Sequence, residues 1–399
     1  MSTSKDVVIR TTGITKTIFV ISLIIVGVAG GLVGYFVPPL LKQSRSVITL
    51  NGSGSTFVQP LLNAIDTNYT AANPGVQVNY QGVGSGAGIT NLNNSLVDFA
   101  GTDAPLTPGQ TMSITNHVGS PLTIPESIGA VAIAYNIKNI GTASLKLNAT
   151  VAAMIFQGNI TYWDDPNIAN LQDSSVQANL PHAIITVVHR GESSGTSFIF
   201  TSWLNTGKSN FPWKLGVSKS PSWGGAVSAK YIAINGNPGV ASDVQLNSNT
   251  IGYVELNYVL STSSPLTYAT VLTGDPKGSA GGVYVLPSLL TSNYAVSNST
   301  GTLPQGNGDW SNVSLLNSKG NSSYPIVSFT YLLVYQELSK LSSMTQARAQ
   351  ALVNYLWFVV HDGQLQAKTL SYVPLPSAVV QIDEATIRTI TYNGATLHS

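Results

Sequence analysis

The sequence predicts an α/β protein built on largely parallel strands. Three times an apolar, β-branched run leads into a glycine- and serine-rich turn and then into a helix-like segment: 47–50 before 51–57, 76–80 before 81–88, and 184–188 before 190–198. Repeated strand, turn and helix units are typical of a parallel sheet covered by helices. The chain has 399 residues, a length that favours two domains over one.

The composition limits the possible functions. Charged residues make up 9% of the chain, against about 25% in typical domains, so Ser, Thr, Asn and Gly must keep the surface soluble. The formal net charge is +1, and the lack of a basic block argues against nucleic-acid binding. The chain has no cysteine, which excludes disulfides, thiolate metal sites and cysteine nucleophiles.

The N-terminus resembles a membrane anchor. Residues 1–17 are mostly polar and carry Lys5, Arg10 and Lys16, whereas residues 18–37 are uncharged and mostly apolar. That run is about as long as a helix needs to cross a bilayer. We therefore expect a cytoplasmic tail (1–17), a transmembrane anchor (18–37) and an extracytoplasmic remainder, with a cleaved signal peptide as the alternative.

Seven Asn-x-Ser/Thr triplets are consistent with an extracytoplasmic glycoprotein, although such triplets also arise by chance in a chain rich in these residues. They begin at Asn68, Asn93, Asn148, Asn159, Asn298, Asn312 and Asn321.

The remaining elements are predicted in chain order. The residue patterns indicate strands at 97–100, 128–135, 251–255 and 326–335, and helices at 150–157, 346–360 and 376–391. The pair Asp164–Asp165 indicates a structural turn, because it lacks the further acidic ligands that calcium loops require. Residues 205–245 are expected to be loop-rich, and residues 262–323 to form long surface connections.

The turn 190–198 has the features of an oxyanion pocket. Its glycines and serines offer free N–H groups and hydroxyls at a helix start, and Arg190 adds a charged fork of donors. Asp103 follows the strand 97–100 and either points into the ligand crevice at the carboxyl ends of the strands or caps the next turn. An ordinary strand–helix connection explains each glycine turn alone, but three in one chain favour a shared site.

The sequence lacks the motifs that an enzyme active site would require. The five histidines show no metal-binding spacing, and the chain has neither a nucleophile elbow with triad partners nor a Walker lysine. We therefore predict a binding protein without catalytic residues, metal or cofactor.

Several blocks of the sequence resemble the phosphate-binding proteins that serve phosphate ABC importers. They are 51–57, 78–86, 97–106, 155–165, 190–198, 251–255 and 324–326, in the order of the family. The resemblance implies a two-domain, periplasmic-binding-protein-like (type II) fold with a ligand cleft and two crossing strands. Domain I would comprise 46–128 and 324–399, and domain II would comprise 129–323.

The resemblance also implies roles for individual residues. Ser55, Thr56 and Phe57 would donate hydrogen bonds to phosphate from the first loop and Ser85 from the second, and Asp103 would accept one. Arg190, Ser194, Gly195 and Thr196 would close over the other side, with Glu192 supporting Arg190. The chain departs from the family pattern in having Glu192 for the usual Asp, Ser193 for a common Gly, and Gly86 for a common Ser.

The expected function is that of a monomeric phosphate receptor that delivers phosphate to the permease subunits of an importer. Phosphate near neutral pH keeps a proton and can donate a hydrogen bond to Asp103, whereas sulfate has no proton to donate. The alternatives are binding of another oxyanion (sulfate, molybdate or tungstate), a surface phosphatase, or a structural protein.

Overall fold

The computed structural model describes residues 47–138, 140, 144–206, 211–224, 229–260, 266–273, 282–299 and 302–398. Val47–Ser399 form one unit. The predicted tail (1–17) and the predicted anchor (18–37) lie outside the described residues. Within the described ranges, no helix is both long enough and apolar enough to span a bilayer.

The strands alternate with helices through much of the chain, as expected of an α/β protein. The described strands are β1 (Ile48–Gly54), β2 (Val76–Gly82), β3 (Phe99–Thr102), β4 (Pro121–Asn136), β5 (Lys146–Leu147), β6 (Thr186–Arg190), β7 (Lys230–Ile234), β8 (Thr250–Glu255), β9 (Thr267–Tyr268), β10 (Thr270–Leu272), β11 (Tyr284–Val285), β12 (Val327–Tyr335), β13 (Thr391–Tyr392) and β14 (Ala395–Thr396).

The described helices are α1 (Gln59–Ala72), α2 (Ser85–Asn93), α3 (Pro108–His117), α4 (Ala149–Phe156), α5 (Pro166–Ala169), α6 (Ser174–Gln177), α7 (Gly195–Leu204), α8 (Gly236–Leu246), α9 (Leu256–Leu260), α10 (Leu289–Ser297), α11 (Gln346–Val360), α12 (Gln364–Thr369) and α13 (Ser377–Ile387). A short 3₁₀ turn occupies Leu338–Lys340.

One sheet carries the site. Among the described strands its order is β2-β1-β3-β12-β4-β8-β6-β7, with β9 pairing on β4. Strands β1, β2 and β3 are parallel to one another, and so are β6, β7 and β8. In each group the carboxyl ends therefore lie along one edge, where α/β proteins bind their ligands.

Strand β4 connects the two parallel groups. Pro121–Ala130 pair with β12, and Val131–Asn136 pair with β8. All of its residues but the last are buried. The sequence pattern predicted only 128–135, because Pro121, Pro125 and Glu126 interrupt the apolar run. Pro121 is tolerated as the first residue of the strand, and Pro125 because it lies beside an irregularity in the pairing with β12.

The strongest patterns give correct elements. Helix α11 has the predicted bounds 346–360, and β12 begins one residue after the predicted start of its strand. Asp165 caps the short helix α5 by accepting from the Asn167 N–H, as a structural turn requires. The described residues contain no group of three or more His, Cys, Asp or Glu that could hold a metal ion.

Three expectations are correct only in part. The region 205–245 is not only loop, because it contains β7 and α8; β7 is short and half exposed, and α8 starts with Gly236, Asn237 and Pro238, residues of low helix propensity. The region 262–323 contains β9, β10, β11 and α10, whose start is fixed by a capping box between Ser288 and Thr291. The last helix, α13, ends at Ile387 rather than at residue 391.

Candidate functional site

The predicted site residues lie together and are buried. They follow the carboxyl ends of β1, β2, β3 and β6, and they begin the helices α2 and α7. Ser55, Thr56, Phe57, Ser85, Asp103, Arg190, Ser194 and Thr196 are each 3% exposed or less, and Gly195 is also buried. Turns that are far apart in sequence therefore converge on one point.

Asp103 is the hydrogen-bond acceptor at the centre of this cluster. Its Oδ2 accepts from the Ser55 hydroxyl at 2.6 Å and lies 3.5 Å from the Ser85 Oγ, and its Oδ1 accepts from the Thr330 hydroxyl at 3.0 Å. Burial raises the pKa of Asp103 to about 6, while the hydroxyl donors and the charge of Arg190 oppose a larger rise. Near neutral pH this carboxyl is therefore mostly ionised.

Arg190 is the cation that faces this acceptor. Its Nε donates to Glu192 Oε1 at 2.8 Å, and its Nη2 contacts the same oxygen. The Nη1 group donates to the Thr196 hydroxyl and Nη2 to the Thr56 hydroxyl, both at 3.0 Å. Glutamate at position 192 thus holds the guanidinium with a single oxygen, and its other oxygen is buried without a hydrogen-bond partner among the described residues.

Asn237 is a site residue that the sequence did not reveal. Its backbone N–H and its Nδ2 group both lie 3.1 Å from the Thr56 hydroxyl oxygen, and Nδ2 also donates to Thr196 at 3.0 Å. Its Oδ1 accepts from the Glu255 N–H, which fixes the amide orientation. Asn237 lies in the first turn of α8, directly after β7, so this segment repeats the pattern of a strand followed by a helix that marks the other site loops.

Two helix N-termini meet beside Asp103. The Gly195 N–H at the start of α7 donates to the hydroxyl of Ser85, the first residue of α2, at 3.1 Å. First-turn N–H groups lack partners within their own helix and carry the positive end of the dipole. Glycine is required at position 195, because an added Cβ would lie 2.4 Å from Asp103 Oδ2.

A second close approach joins the first turn of α2 to the loop before α7. The Gly86 N–H donates to the Ser193 carbonyl at 2.9 Å. A Cβ at Gly86 would lie 2.2 Å from Ser193 Oγ, so the two positions cannot both carry a serine side chain in this arrangement. The two departures from the family pattern, Gly86 and Ser193, are therefore sterically complementary.

The last two predicted residues have structural partners. The Phe57 N–H donates to Ser55 Oγ at 2.9 Å, and its ring packs edge-on against Tyr372 in the core. Ser194 caps α7 by accepting from the Ser197 N–H at 3.2 Å. Both residues thus shape the loops that present the other donors.

The arrangement suits a small oxyanion that carries a proton. Hydroxyls, helix N-termini and a guanidinium supply donors, and one buried carboxylate supplies an acceptor. A fully deprotonated anion would meet Asp103 without a hydrogen to share.

The chain is similar in sequence and in fold to known proteins. Residues 42–362 match the family model described as a PBP superfamily domain. The Phosphate-binding protein PstS of Methanocaldococcus jannaschii is 31% identical over 361 residues, covering 90% of each chain. That of Xylella fastidiosa is 32% identical over 353 residues, covering 87% of each. The fold is similar to the structure of a high affinity periplasmic phosphate-binding protein (PfluDING) bound with phosphate, with a TM-score of 0.66 and 22% identity over 84% of this chain and 93% of that one.

Proposed function

The chain belongs to the family of phosphate-binding proteins, and from that premise we propose that it is an extracytoplasmic receptor that binds inorganic phosphate and delivers it to an ABC importer. It acts as a binding protein and not as an enzyme. The observation that carries this function is the fully buried Asp103, an anionic acceptor placed among donors that would otherwise suit any oxyanion.

The carboxylate provides the selectivity. Phosphate near neutral pH retains a proton and can donate a hydrogen bond to Asp103, whereas sulfate cannot. Sulfate would therefore leave two buried negative charges facing each other, which costs a few kcal/mol. Selectivity then follows from a penalty against the wrong ion.

Ligand binding is coupled to closure of two domains in this proposal. Domain I (46–128 and 324–399) contributes Ser55, Thr56, Ser85 and Asp103, and domain II (129–323) contributes the residues from 190 to 196. An anion held by both groups stabilises the closed state, because only that state offers all of its donors at once. The Arg190–Thr56 and Gly195–Ser85 hydrogen bonds join the two proposed domains.

Titration calorimetry of the full chain, stripped of endogenous ligand, tests the function. We expect phosphate to bind at micromolar concentration or tighter, and sulfate and molybdate to bind at least about a hundredfold more weakly. A preference for sulfate or molybdate would identify a receptor for another oxyanion. No binding of any oxyanion at micromolar concentrations would indicate a structural protein and contradict the proposal.

Gly86→Ser is expected to weaken phosphate binding by about tenfold or more. The new side chain would overlap Ser193 Oγ and Cβ, and overpacking of this kind costs about 1–3 kcal/mol. The double variant Gly86→Ser/Ser193→Gly removes the overlap and should recover affinity to within about threefold.

The matched control for this pair is Gly75→Ser, because nothing lies within 4 Å of a Cβ at Gly75. It should bind phosphate as the unsubstituted chain does. Undiminished affinity of Gly86→Ser alone would show that the contact between residues 86 and 193 is not formed in the bound state.

The receptor is held at the membrane by the apolar run 18–37 and works as a monomer that docks on permease subunits. Among the predicted glycan acceptors, Asn68, Asn159, Asn298, Asn312 and Asn321 are exposed, whereas Asn148 accepts from the Val151 N–H to cap α4. Glycans are therefore expected on the exposed group. Release of the full chain from membranes by an alkaline wash would contradict the anchor, and mass spectrometry of the acceptor peptides tests the glycans.

A further inference from the structure

Strand β4 carries an extra residue beside the site. Thr330 of β12 pairs with Ser127 and Tyr331 pairs with Pro125, which leaves Glu126 between them as a bulge. Bulges re-aim a side chain and are frequent next to functional sites. The residue that is re-aimed here is a glutamate whose exposure is 0%.

One hydroxyl bridges Glu126 and Asp103. Thr330 Oγ1 lies 3.0 Å from Asp103 Oδ1 and 3.1 Å from Glu126 Oε1. Two hydrogen bonds need two protons, but a threonine hydroxyl has only one. The second proton must therefore belong to one of the two carboxyl groups, since two carboxylates would leave one of these contacts as a repulsion between oxygen lone pairs.

The surroundings place that proton on Glu126. Asp103 accepts from the Ser55 hydroxyl and is stabilised as an anion by the charge of Arg190. Among the described residues, no cation forms a salt bridge with Glu126, and its Oε2 has no hydrogen-bond partner. Burial, together with the charges of Asp103 and Asp66, raises the pKa of Glu126 well above its usual range.

We propose that Glu126 is a neutral positioning residue whose carboxyl group donates a hydrogen bond to the Thr330 hydroxyl oxygen. The Thr330 hydroxyl must then donate its own hydrogen bond to Asp103, which keeps Asp103 an ionised acceptor. The relay runs from Glu126 Oε1–H to Thr330 Oγ1 and from Thr330 Oγ1–H to Asp103 Oδ1. Its consequence for ion selectivity rests on the proposed phosphate-binding function; its protonation pattern does not.

Other ionisable groups act on the relay. They are the guanidinium of Arg190 and the carboxyl groups of Asp66 and Glu255, and burial raises the pKa of Glu255 well above its usual range. The phenols are those of Tyr80, Tyr258, Tyr331, Tyr355 and Tyr372, all with a raised pKa and therefore neutral below pH 9. Burial raises the pKa of Asp66 to about 7, inside the range to be scanned, so each variant is also measured in an Asp66→Asn background.

Calorimetry with phosphate and sulfate between pH 5 and pH 8 tests the relay. In Thr330→Val, Asp103 loses a donor, and the pH below which sulfate begins to compete should rise by about one unit. In Glu126→Gln, an amide N–H can replace the acid proton, so affinities should stay within about threefold and the pH profile should not move. An unmoved profile in Thr330→Val overturns the relay.

The opposite result in Glu126→Gln also overturns it. If Glu126 were ionised, its neutralisation would remove a buried negative charge and raise the affinity for both anions about tenfold or more. Infrared difference spectra of the unsubstituted chain minus Glu126→Gln at pH 8 give a readout independent of ligand. They should contain the carbonyl stretch of a protonated carboxylic acid, and carboxylate bands in its place would refute the proposal.

These results separate the two proposals. A chain that binds no phosphate but shows the protonated-acid band fails as a phosphate receptor while keeping the Glu126 proton. A chain that prefers phosphate but shows carboxylate bands for Glu126 keeps its function and loses the relay.

Discussion

Asp103→Asn is expected to remove most of the preference for phosphate over sulfate, chiefly through a gain of about a hundredfold in sulfate affinity at pH 7.5. Asparagine has the shape of aspartate but no charge, and its amide can donate to a sulfate oxygen. The repulsion between a buried carboxylate and a deprotonated anion then disappears. Calorimetric titration with both ions measures the ratio directly, and an unchanged ratio would refute this account of selectivity.

The unsubstituted chain should also lose its preference for phosphate over sulfate as the pH falls. Burial raises the pKa of Asp103 to about 6, so the carboxyl gains a proton as the pH falls through that value and can then donate to sulfate. Sulfate affinity is therefore expected to rise between pH 7 and pH 5. This rise should be absent in Asp103→Asn, whose side chain does not titrate.

As the pH rises, the ligand-free protein is expected to lose stability while its preference for phosphate over sulfate increases. The pKa of Asp103 is higher in the folded state than its ordinary value of 3.8, so its stabilising contribution is complete below pH 3.8 and is lost as the pH rises through about 6. Asp103→Asn should therefore be more stable at pH 7.5, by up to about 3 kcal/mol. Denaturant unfolding measures this gain.

Asp66→Asn is the matched control. Asp66 is also a buried carboxyl, it accepts from the Tyr355 hydroxyl at 2.6 Å, and burial raises its pKa to about 7. Its replacement should likewise increase stability near neutral pH, because an ionised buried carboxylate is removed. Only Asp103→Asn should also change ion selectivity, since Asp66 is not among the predicted donors and acceptors.

The sequence predicted the site residues that lie at the carboxyl ends of parallel strands. Asp103 follows β3 and Arg190 ends β6, and each lies at the carboxyl edge of its own parallel group, where local patterns predict a ligand. That the two edges face each other could not be predicted locally, because it depends on β4, which pairs with β12 in one half and with β8 in the other. Glycine at positions 86 and 195 could be assigned to turns, but not to the contacts that require it. Those contacts depend on how closely two separate loops approach each other.

The contributions of Asn237, Thr330 and Glu126 could not be foreseen in this way. Asn237 follows β7, a five-residue strand whose apolar run is too short to be told from part of a helix by its pattern. Glu126 interrupts an apolar run and therefore looks like a break in the strand. Its orientation depends on the register between β4 and β12, whose paired residues are about two hundred positions apart, and no local pattern encodes that register.

Arg190→Ala is expected to weaken the binding of any oxyanion about a thousandfold. The guanidinium joins Thr56 to Thr196 and is the positive charge beside Asp103 and Glu192. Removal of one member of a buried, hydrogen-bonded charge pair costs about 2–5 kcal/mol, because the other member is left unpaired. Here two carboxylates would then face the incoming anion.

Two further variants separate lost attraction from lost structure. Arg190→Ala/Glu192→Gln no longer leaves the Glu192 charge unpaired. It should therefore regain the unfolding free energy that Arg190→Ala loses, but not the lost affinity for the anion. Arg190→Lys keeps the charge without the planar fork that contacts Thr56, Thr196 and Glu192. Its affinity for the anion should therefore lie between that of the unsubstituted chain and that of Arg190→Ala. Unchanged calorimetric affinity in Arg190→Ala would place the anion elsewhere, because the anion would otherwise face the buried Asp103 and the partly buried Glu192 without a cation.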